Sequence, residues 1–307
     1  MYKVCLVVAA LLVGAPLLAQ LPAVSSGRLV RFDSFPSKYV SKRHVDVWLP
    51  ATYNGRTPHD VLYMHDGQML YDSTTTWNKT DWQVDETIGR LLMNKSIRPV
   101  IVVGVWNSGQ GRHADYFPQK PLDYLAPATV DSLYAANRQS GQSVFQNQRV
   151  HSDDYLRFLV EELKPMIDRQ YKTNAGRAHT FIAGSSMGGL ISLYAICQYP
   201  QVFGGAACLS THWPGIFQEK DNSVPAAFFA YMKDHLPDPA THRLYFDHGD
   251  QTLDAWYPPL QKQADEVLRQ RGFVPPALLS RFFPGTDHSE RAWASRLAIP
   301  LQFLLAR

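Results

Sequence analysis

Residues 179–190 have the sequence HTFIAGSSMGGL. In this segment a short apolar run ends in Gly-x-Ser-x-Gly, with Gly184, Ser186 and Gly188 at the defined positions. The pattern is typical of a nucleophile elbow, in which a serine lies on a strained turn between a strand and a helix. Glycines flank the serine because the neighbouring backbone packs too closely there for side chains. We therefore predict that Ser186 is the exposed nucleophile of a serine hydrolase.

The flanking sequence supports this prediction, because the five-residue pattern alone occurs by chance in many proteins. Residues 181–183 suit a buried parallel strand. After the turn, apolar side chains recur at helical spacing at Leu190, Leu193, Tyr194 and Cys197. Strand, turn and helix together are the structural context that the motif requires.

The N-terminus has the pattern of a secretory signal peptide. A short basic start is followed by an almost wholly apolar run over residues 4–18, and Ala19 offers a small-residue cleavage site. A membrane anchor is the alternative, but a span needs about 20 apolar residues and this run is shorter. We expect residues 1–19 to be removed and residues 20–307 to be exported, to the periplasm or out of the cell, without stable membrane insertion.

Composition sets further limits on function. The chain has 307 residues, of which 45% are hydrophobic and 19% charged, and this suits one globular α/β domain. The formal net charge is +3 without a basic tract, so we expect no nucleic-acid partner. Outside the signal peptide, Cys197 and Cys208 lie in apolar runs and favour buried free thiols, although export would permit a disulfide. No Cys/His cluster has the spacing of a metal site.

Strand-like and helix-like segments alternate along the chain, which predicts a mostly parallel central sheet with helices on both faces. Helix-like stretches cover residues 154–169, 259–271 and 289–305, and the first strands are close enough to pair as a meander. The segment 107–150 fits no regular pattern and is either a wall of the substrate site or a surface decoration. The strand-like runs are 29–32, 45–49, 61–65, 100–106, 180–185, 205–209, 243–246 and 280–283.

A serine nucleophile needs a base and an acid that orients the base. In folds with this elbow the chain order is serine, acid, histidine. His288 lies between the last strand-like run and the last helix, where a loop can carry an imidazole over the nucleophile. Asp247, Asp250 and Asp254 compete as the acid after the strand that ends at residue 246. We favour Asp254 and keep Asp250 as the alternative, since each could instead stabilise a turn or cap a helix.

The tetrahedral intermediate also needs preorganised N–H donors. One is expected from the backbone of Met187, directly after the nucleophile. The second is expected from Gln68, in the loop after the early strand, where Gly67 lets the backbone turn inward. His65 in this loop is interpreted as a packed side chain and not as a second base.

The chain resembles the esterase D family of α/β hydrolases, which includes feruloyl esterases, enterochelin-type esterases and S-formylglutathione hydrolases. The resemblance covers nearly all of the mature chain, and it implies the α/β-hydrolase fold, a triad of Ser186, Asp254 and His288, and an oxyanion hole at Gln68 and Met187. Family members often carry the acid nearer the glycine than Asp254 is to Gly249. The residues that carry the resemblance are 65–72, 82–85, 112–118, 184–190, 245–254 and 284–290.

These features predict a secreted carboxylic-ester hydrolase that forms an acyl-enzyme on Ser186 and acts on acylated polysaccharide, as a feruloyl or acetyl esterase. No metal or organic cofactor is expected, and the oligomeric state stays open. A siderophore esterase and an acyltransferase are the alternatives within the enzyme class, and an inactive binding protein is the alternative outside it. The expected substrate-binding residues are Trp82, Arg112, Tyr116, His212 and Trp213.

Overall fold

The computed structural model describes residues 21–138, 140–218 and 220–307. The predicted signal peptide, residues 1–19, lies outside the described residues. Within the described ranges, none of the helices has both the length and the apolar character needed to cross a membrane.

Eight strands form one sheet in the order β1-β2-β4-β3-β5-β6-β7-β8. β1 pairs antiparallel with β2, and β2 pairs antiparallel with β4, whereas every other pair is parallel. This mostly parallel sheet confirms the predicted α/β-hydrolase fold. The strands are β1 Arg28–Phe35, β2 Arg43–Leu49, β3 Asp60–His65, β4 Val100–Val105, β5 Thr180–Ser185, β6 Gly205–Leu209, β7 Arg243–His248 and β8 Leu278–Phe282.

The predicted meander of the first strands is only half correct. β1 and β2 do pair as neighbours, but β3 lies between β4 and β5 in the middle of the sheet. Every residue of β3 and of β4 is buried, and such continuously buried strands suit a parallel sheet covered on both faces. The central position of β3 brings the loop after it next to the loop after β5.

The helices cover the segments expected from periodicity. The first predicted helix, 154–169, is a continuous run of α4 (Ser152–Arg157), a π-helical segment at Phe158–Leu163 and α5 (Lys164–Gln170). The predicted helix 289–305 divides at Leu297 into α9 (Glu290–Arg296) and α10 (Ala298–Leu305). Segment 107–150, which lacked a pattern, contains α2 and α3. The α-helices are α1 Val84–Met93, α2 Arg112–Tyr116, α3 Pro127–Ala135, α4 Ser152–Arg157, α5 Lys164–Gln170, α6 Met187–Gln198, α7 Val224–His235, α8 Tyr257–Gln270, α9 Glu290–Arg296 and α10 Ala298–Leu305. Short 3₁₀ helices occur at Gly67–Met69, Gly109–Gly111, Lys120–Tyr124, Arg177–His179 and Thr252–Trp256.

Apolar side chains pack into two clusters, one on each face of the sheet. The larger cluster joins the sheet to α4 to α8, and the smaller joins it to α1, α9 and α10. Cys197 and Cys208 belong to the larger cluster and are both free thiols, as predicted. Burial raises the pKa of Cys197 to about 12, so this thiol stays protonated and unreactive at neutral pH.

Candidate active site

Ser186 lies on a tight turn between β5 and α6. Its backbone has φ 58° and ψ −121°, a region that non-glycine residues adopt only under strain from their surroundings. A Cβ on Gly184 would come within 2.9 Å of the Gly188 Cα, so this turn cannot close with a side chain there. The Ser186 side chain is half-buried and lines a cleft. The turn therefore has the geometry of a nucleophile elbow.

The loop after β3 lies beside this elbow. Asp66 adopts a left-handed conformation with φ 56° and leads into the 3₁₀ turn at Gly67–Met69. A Cβ on Gly67 would lie 2.6 Å from the backbone of Gly104, so only glycine allows this close approach to β4. Among the residues that the structure describes, neither the Gln68 N–H nor the N–H of Met187, at the start of α6, has a backbone partner. Both N–H groups that were predicted as oxyanion donors therefore lie beside the elbow without a backbone acceptor in this part of the chain.

His288 and Asp254 come together from separate loops. The His288 Nδ1 lies 2.5 Å from the Asp254 Oδ1. The Asp254 carboxylate is fully buried, and its Oδ2 accepts hydrogen bonds from the Gly249 N–H at 2.6 Å and from the Ser210 hydroxyl at 2.7 Å. Burial alone would raise the pKa of Asp254, but the hydrogen bond from His288 and the other donors hold it below its ordinary value. The carboxylate is therefore ionised at neutral pH and fixes the orientation of the imidazole.

The two competing carboxylates have structural partners. Asp250 accepts a hydrogen bond from the backbone N–H of Gly285 at 2.8 Å and holds the loop that carries His288. Asp247 is buried in a salt bridge with Arg296, with 2.9 Å between Oδ1 and Nη2. The structure thus pairs His288 with Asp254 and with neither alternative.

The Ser186 hydroxyl lies near two groups at the elbow. Among the hydrogen bonds of the described chain, none joins Ser186 to His288, although both side chains line the same cleft. The Ser186 hydroxyl also acts on the buried phenol of Tyr257, whose pKa it lowers against the larger effect of burial. The Tyr257 hydroxyl lies 2.8 Å from the Nδ1 of His212, and the rings of Tyr257 and His288 are 5.7 Å apart. Tyr257 and His288 therefore both lie beside the serine, and a rotation about its χ1 decides which one its hydroxyl faces.

The cleft above Ser186 has a volume of about 540 Å³. Trp82 and Trp293 form its apolar side, with ring centroids 5.4 Å apart, and Trp293 also packs 5.0 Å from the ring of His288. Trp77 and Glu290 line the same cleft. The remaining lining residues are Asp66, Gln68, Met69, Asn78, Asn107, Gly109, Arg112, Ser185 and Ser289.

A bidentate ion pair crosses the cleft floor near the oxyanion loop. The Arg112 Nε and Nη2 donate to the two carboxylate oxygens of Asp66 at 2.7 and 2.8 Å, and the Asn107 amide donates to Asp66 at 2.7 Å. Burial raises the pKa of Asp66, but the guanidinium of Arg112 more than offsets this, so the pKa is lowered. Arg112 therefore braces the loop and carries little free charge toward a substrate.

The structure corrects three of the five predicted substrate-binding residues. Trp82 and Arg112 line the cleft. Tyr116 and Trp213 are fully buried and His212 is 1% exposed, so none of the three offers a surface to a substrate. Tyr116 packs against His65 and Tyr155, whereas Trp213 stacks on Phe246 in the core.

Trp77, Asn78, Glu290 and Trp293 are among the cleft residues that the sequence analysis did not predict. Trp293 comes soon after His288 in the sequence, on α9, and this nearness to the predicted base could have indicated it. Trp77 follows three threonines and precedes an asparagine in a polar loop. A single large aromatic residue is unusual in such a loop. Nothing in the local sequence of Glu290 indicates its position, since its partner Asn78 is 212 residues away.

Known proteins resemble this chain over most of its length. The ferri-bacillibactin esterase BesA of Bacillus subtilis is 24% identical over 185 residues, which are 59% of this chain and 58% of BesA. Among solved structures, a ferulic acid esterase superposes with a TM-score of 0.63 at 19% identity, covering 91% of this chain and 98% of that one. The enterobactin esterase FES from Shigella flexneri superposes with a TM-score of 0.61 at 16% identity, covering 93% of this chain and 61% of that one. The structural likenesses show the shared fold.

The sequence family described as "Putative esterase" matches residues 37–300. This match includes every strand from β2 onward and all of the cleft residues described above. The protein therefore belongs to this esterase family of α/β hydrolases and is a carboxylic-ester hydrolase.

Proposed function

We propose that the protein is a serine esterase that works through an acyl-enzyme on Ser186. The observation that carries this proposal is the short hydrogen bond between Asp254 and His288 beside an elbow serine. The backbone N–H groups of Gln68 and Met187, which have no backbone acceptor among the described residues, lie beside the same serine. In this scheme the Ser186 hydroxyl turns to His288, which takes its proton as the oxygen attacks the ester carbonyl. The N–H groups of Gln68 and Met187 stabilise the oxyanion of the tetrahedral intermediate.

The second half of the reaction uses the same groups. His288 gives its proton to the departing alcohol and then deprotonates a water molecule that attacks the acyl-enzyme. Asp254 keeps the imidazole in the tautomer that carries a proton on Nδ1 and stabilises the imidazolium. Collapse of the second intermediate releases the acid and restores Ser186.

For the substrate, we propose a feruloyl or acetyl ester of a polysaccharide, met after export. The likeness to a ferulic acid esterase and the tryptophans Trp82 and Trp293 in the cleft support this choice, because flat aromatic surfaces suit phenolic rings and sugars. A siderophore ester is the second candidate, supported by the match to BesA. The export signal at residues 1–19 suits both substrates.

Two other functions use the same cleft. In an acyltransferase, a sugar hydroxyl would intercept the acyl-enzyme in place of water. A binding protein without catalysis would gain support from a nucleophile sealed from solvent, but Ser186 is half-buried and lines an open cleft. The half-buried serine therefore favours an enzyme.

The decisive experiment measures hydrolysis of p-nitrophenyl acetate and methyl ferulate by the mature protein and by its Ser186→Ala variant. Ser132→Ala is the control, since Ser132 is an exposed serine outside the cleft. We expect Ser186→Ala to lose essentially all activity and Ser132→Ala to keep nearly all of it. A fluorophosphonate should label Ser186 covalently, as read by mass spectrometry of the tryptic peptide. Full activity in Ser186→Ala would refute the proposed mechanism.

A further inference from the structure

We propose that Trp77, Asn78 and Glu290 form a subsite for a neutral sugar ring in the alcohol part of the ester. This inference rests on the proposed function, because it places the sugar beside the acyl group attached to Ser186. It assigns a ligand class to the part of the cleft that Trp77, Asn78 and Glu290 line, next to the part lined by the tryptophan pair Trp82 and Trp293.

Trp77 is the most exposed large apolar side chain among those that the structure describes, at 82%. Its indole has no aromatic partner in the described chain, and it lines the same cleft as Ser186 and His288. Exposing so large an apolar surface is unfavourable by the hydrophobic effect, since tryptophan buries up to about 250 Å² in a core. An unpaired indole at the mouth of a catalytic cleft is therefore available for stacking on a ligand ring.

Hydrogen bonds hold the loop that carries Trp77 in place. The position of the indole in the cleft is therefore fixed by the loop. Asp72 accepts hydrogen bonds from the Thr74 hydroxyl and backbone, at 2.6 and 2.9 Å, and its other oxygen accepts from the Ala23 N–H at 2.8 Å. The Thr76 side chain is buried and donates to the carbonyl of Ser73 at 3.0 Å. Such side-chain to backbone hydrogen bonds fix tight loops.

Polar groups beside the indole suit hydroxyl-rich ligands. The Asn78 amide donates to the Glu290 Oε2 at 2.8 Å, which ties the Trp77 loop to α9. No donor from the described residues reaches the other carboxylate oxygen, Oε1, which can therefore accept a hydrogen bond from a ligand. A sugar ring offers a flat C–H face for the indole and hydroxyl donors for such an acceptor, whereas a feruloyl ring carries a single hydroxyl.

The charges of the cleft favour a neutral ligand over an anionic one. Arg112 is neutralised by its bidentate pair with Asp66. Among the ion pairs of the described residues, none involves Glu290, and Arg112, whose charge it does feel, is already paired with Asp66. Two carboxylates thus face one guanidinium, and this side of the cleft carries a net negative charge. A uronate or a catecholate anion would meet like-charge repulsion here. We therefore infer a neutral sugar such as xylose or arabinose, and not an acidic one.

The test compares two esters of the same acid, acetylated xylotriose and methyl acetate, followed by pH-stat titration. In Trp77→Ala, the ratio of kcat/KM for acetylated xylotriose to that for methyl acetate should fall about fivefold, chiefly through KM, since stacking on one ring is worth about 1 kcal/mol. Trp77→Phe should keep most of the ratio, because it retains a flat ring. Met93→Ala is the matched control, since Met93 is 77% exposed and lies outside this cleft.

Glu290→Gln tests the charge independently, because glutamine keeps an acceptor for Asn78 but removes the negative charge. It should raise the rate on an acetylated oligogalacturonate relative to acetylated xylotriose by at least about threefold. If Trp77→Ala leaves the ratio of the two kcat/KM values unchanged, including by an equal loss on both acetates, the subsite is refuted. If Ser186→Ala abolishes activity while the ratio in Trp77→Ala is unchanged, the proposed function stands and only the sugar subsite is refuted.

Discussion

Three buried histidines should make the protein sensitive to mild acid. Burial lowers the pKa of His65 and that of His113 to about 3, and it lowers the pKa of His212 well below the ordinary value of 6.5. In the unfolded chain all three take up protons below pH 6.5, while in the folded protein they stay neutral. The stability that comes from keeping these histidines neutral is therefore complete above pH 6.5. It is lost as the pH falls toward their pKa values in the folded protein.

The magnitude follows from linkage. Each group that is protonated only in the unfolded state contributes about 1.4 kcal/mol per pH unit. At pH 5.5, one unit below the unfolded pKa, the imidazoles of His65 and His113 together lower the free energy of unfolding by about 3 kcal/mol relative to pH 7.5, and His212 adds to this loss. The folded pKa values of His65 and His113 lie so far below 5.5 that their exact positions do not affect this figure. Burial of His59 acts in the same direction, whereas the raised pKa values of His151 and Glu86, both more exposed, act weakly against it.

Urea denaturation at pH 7.5 and 5.5, followed by tryptophan fluorescence, measures the difference. His65→Gln isolates one group, because the glutamine amide can replace the hydrogen bond of His65 Nδ1 to the Tyr155 hydroxyl at 2.8 Å. The loss of stability between the two pH values should be about 1.4 kcal/mol smaller in the variant than in the wild type. Equal losses in the two proteins would refute the assignment of a strongly lowered pKa to His65.

Three further predictions concern the candidate triad and its support. Asp254→Asn should lower kcat/KM on p-nitrophenyl acetate by about 10⁴-fold, because the imidazole takes the wrong tautomer; a loss under tenfold would point to another acid. Tyr257→Phe should raise the rate of fluorophosphonate labelling about fivefold, since it removes a neighbouring hydroxyl that can compete with His288 for the serine through a hydrogen bond of about 1 kcal/mol; slower labelling would show instead that the phenol assists the reaction. Asp247→Ala should cost about 3–5 kcal/mol of unfolding free energy in urea, because it leaves the buried Arg296 unpaired, and a cost below 1 kcal/mol would contradict this.

The sequence predicted the parts of the site that are fixed by local pattern and chain order. The elbow at Ser186 follows from glycine spacing between a strand and a helix, and His288 follows from its place after the last strand. Gln68 was predicted from the glycine that follows an early strand, but the sequence analysis expected this strand in a meander. Only the structure shows β3 beside β5 in a parallel sheet, where their carboxyl ends meet.

What the sequence could not decide depends on side-chain direction and long-range contacts. Asp250 and Asp254 are four residues apart in one loop, and only the folded backbone shows that Asp254 points inward while Asp250 binds the Gly285 N–H. The sequence likewise does not show whether an aromatic side chain faces the cleft or the core. Tyr116 and Trp213 were therefore assigned to the cleft but lie in the core, while Trp77 was missed.

The position of α9 shows why the acid and the shape of the cleft cannot vary independently. The Ser210 hydroxyl donates to Asp254 at 2.7 Å and accepts from the Trp293 Nε1 at 2.9 Å and from the Arg296 Nη2 at 3.0 Å. Trp293 and Arg296 are both on α9, which begins at Glu290. One short helix therefore carries an edge of the cleft, packs against His288 and supports the acid that orients it. A substrate that moved α9 through Glu290 would alter the hydrogen bonds of Asp254 as well, so binding of the alcohol part and orientation of the base should be coupled.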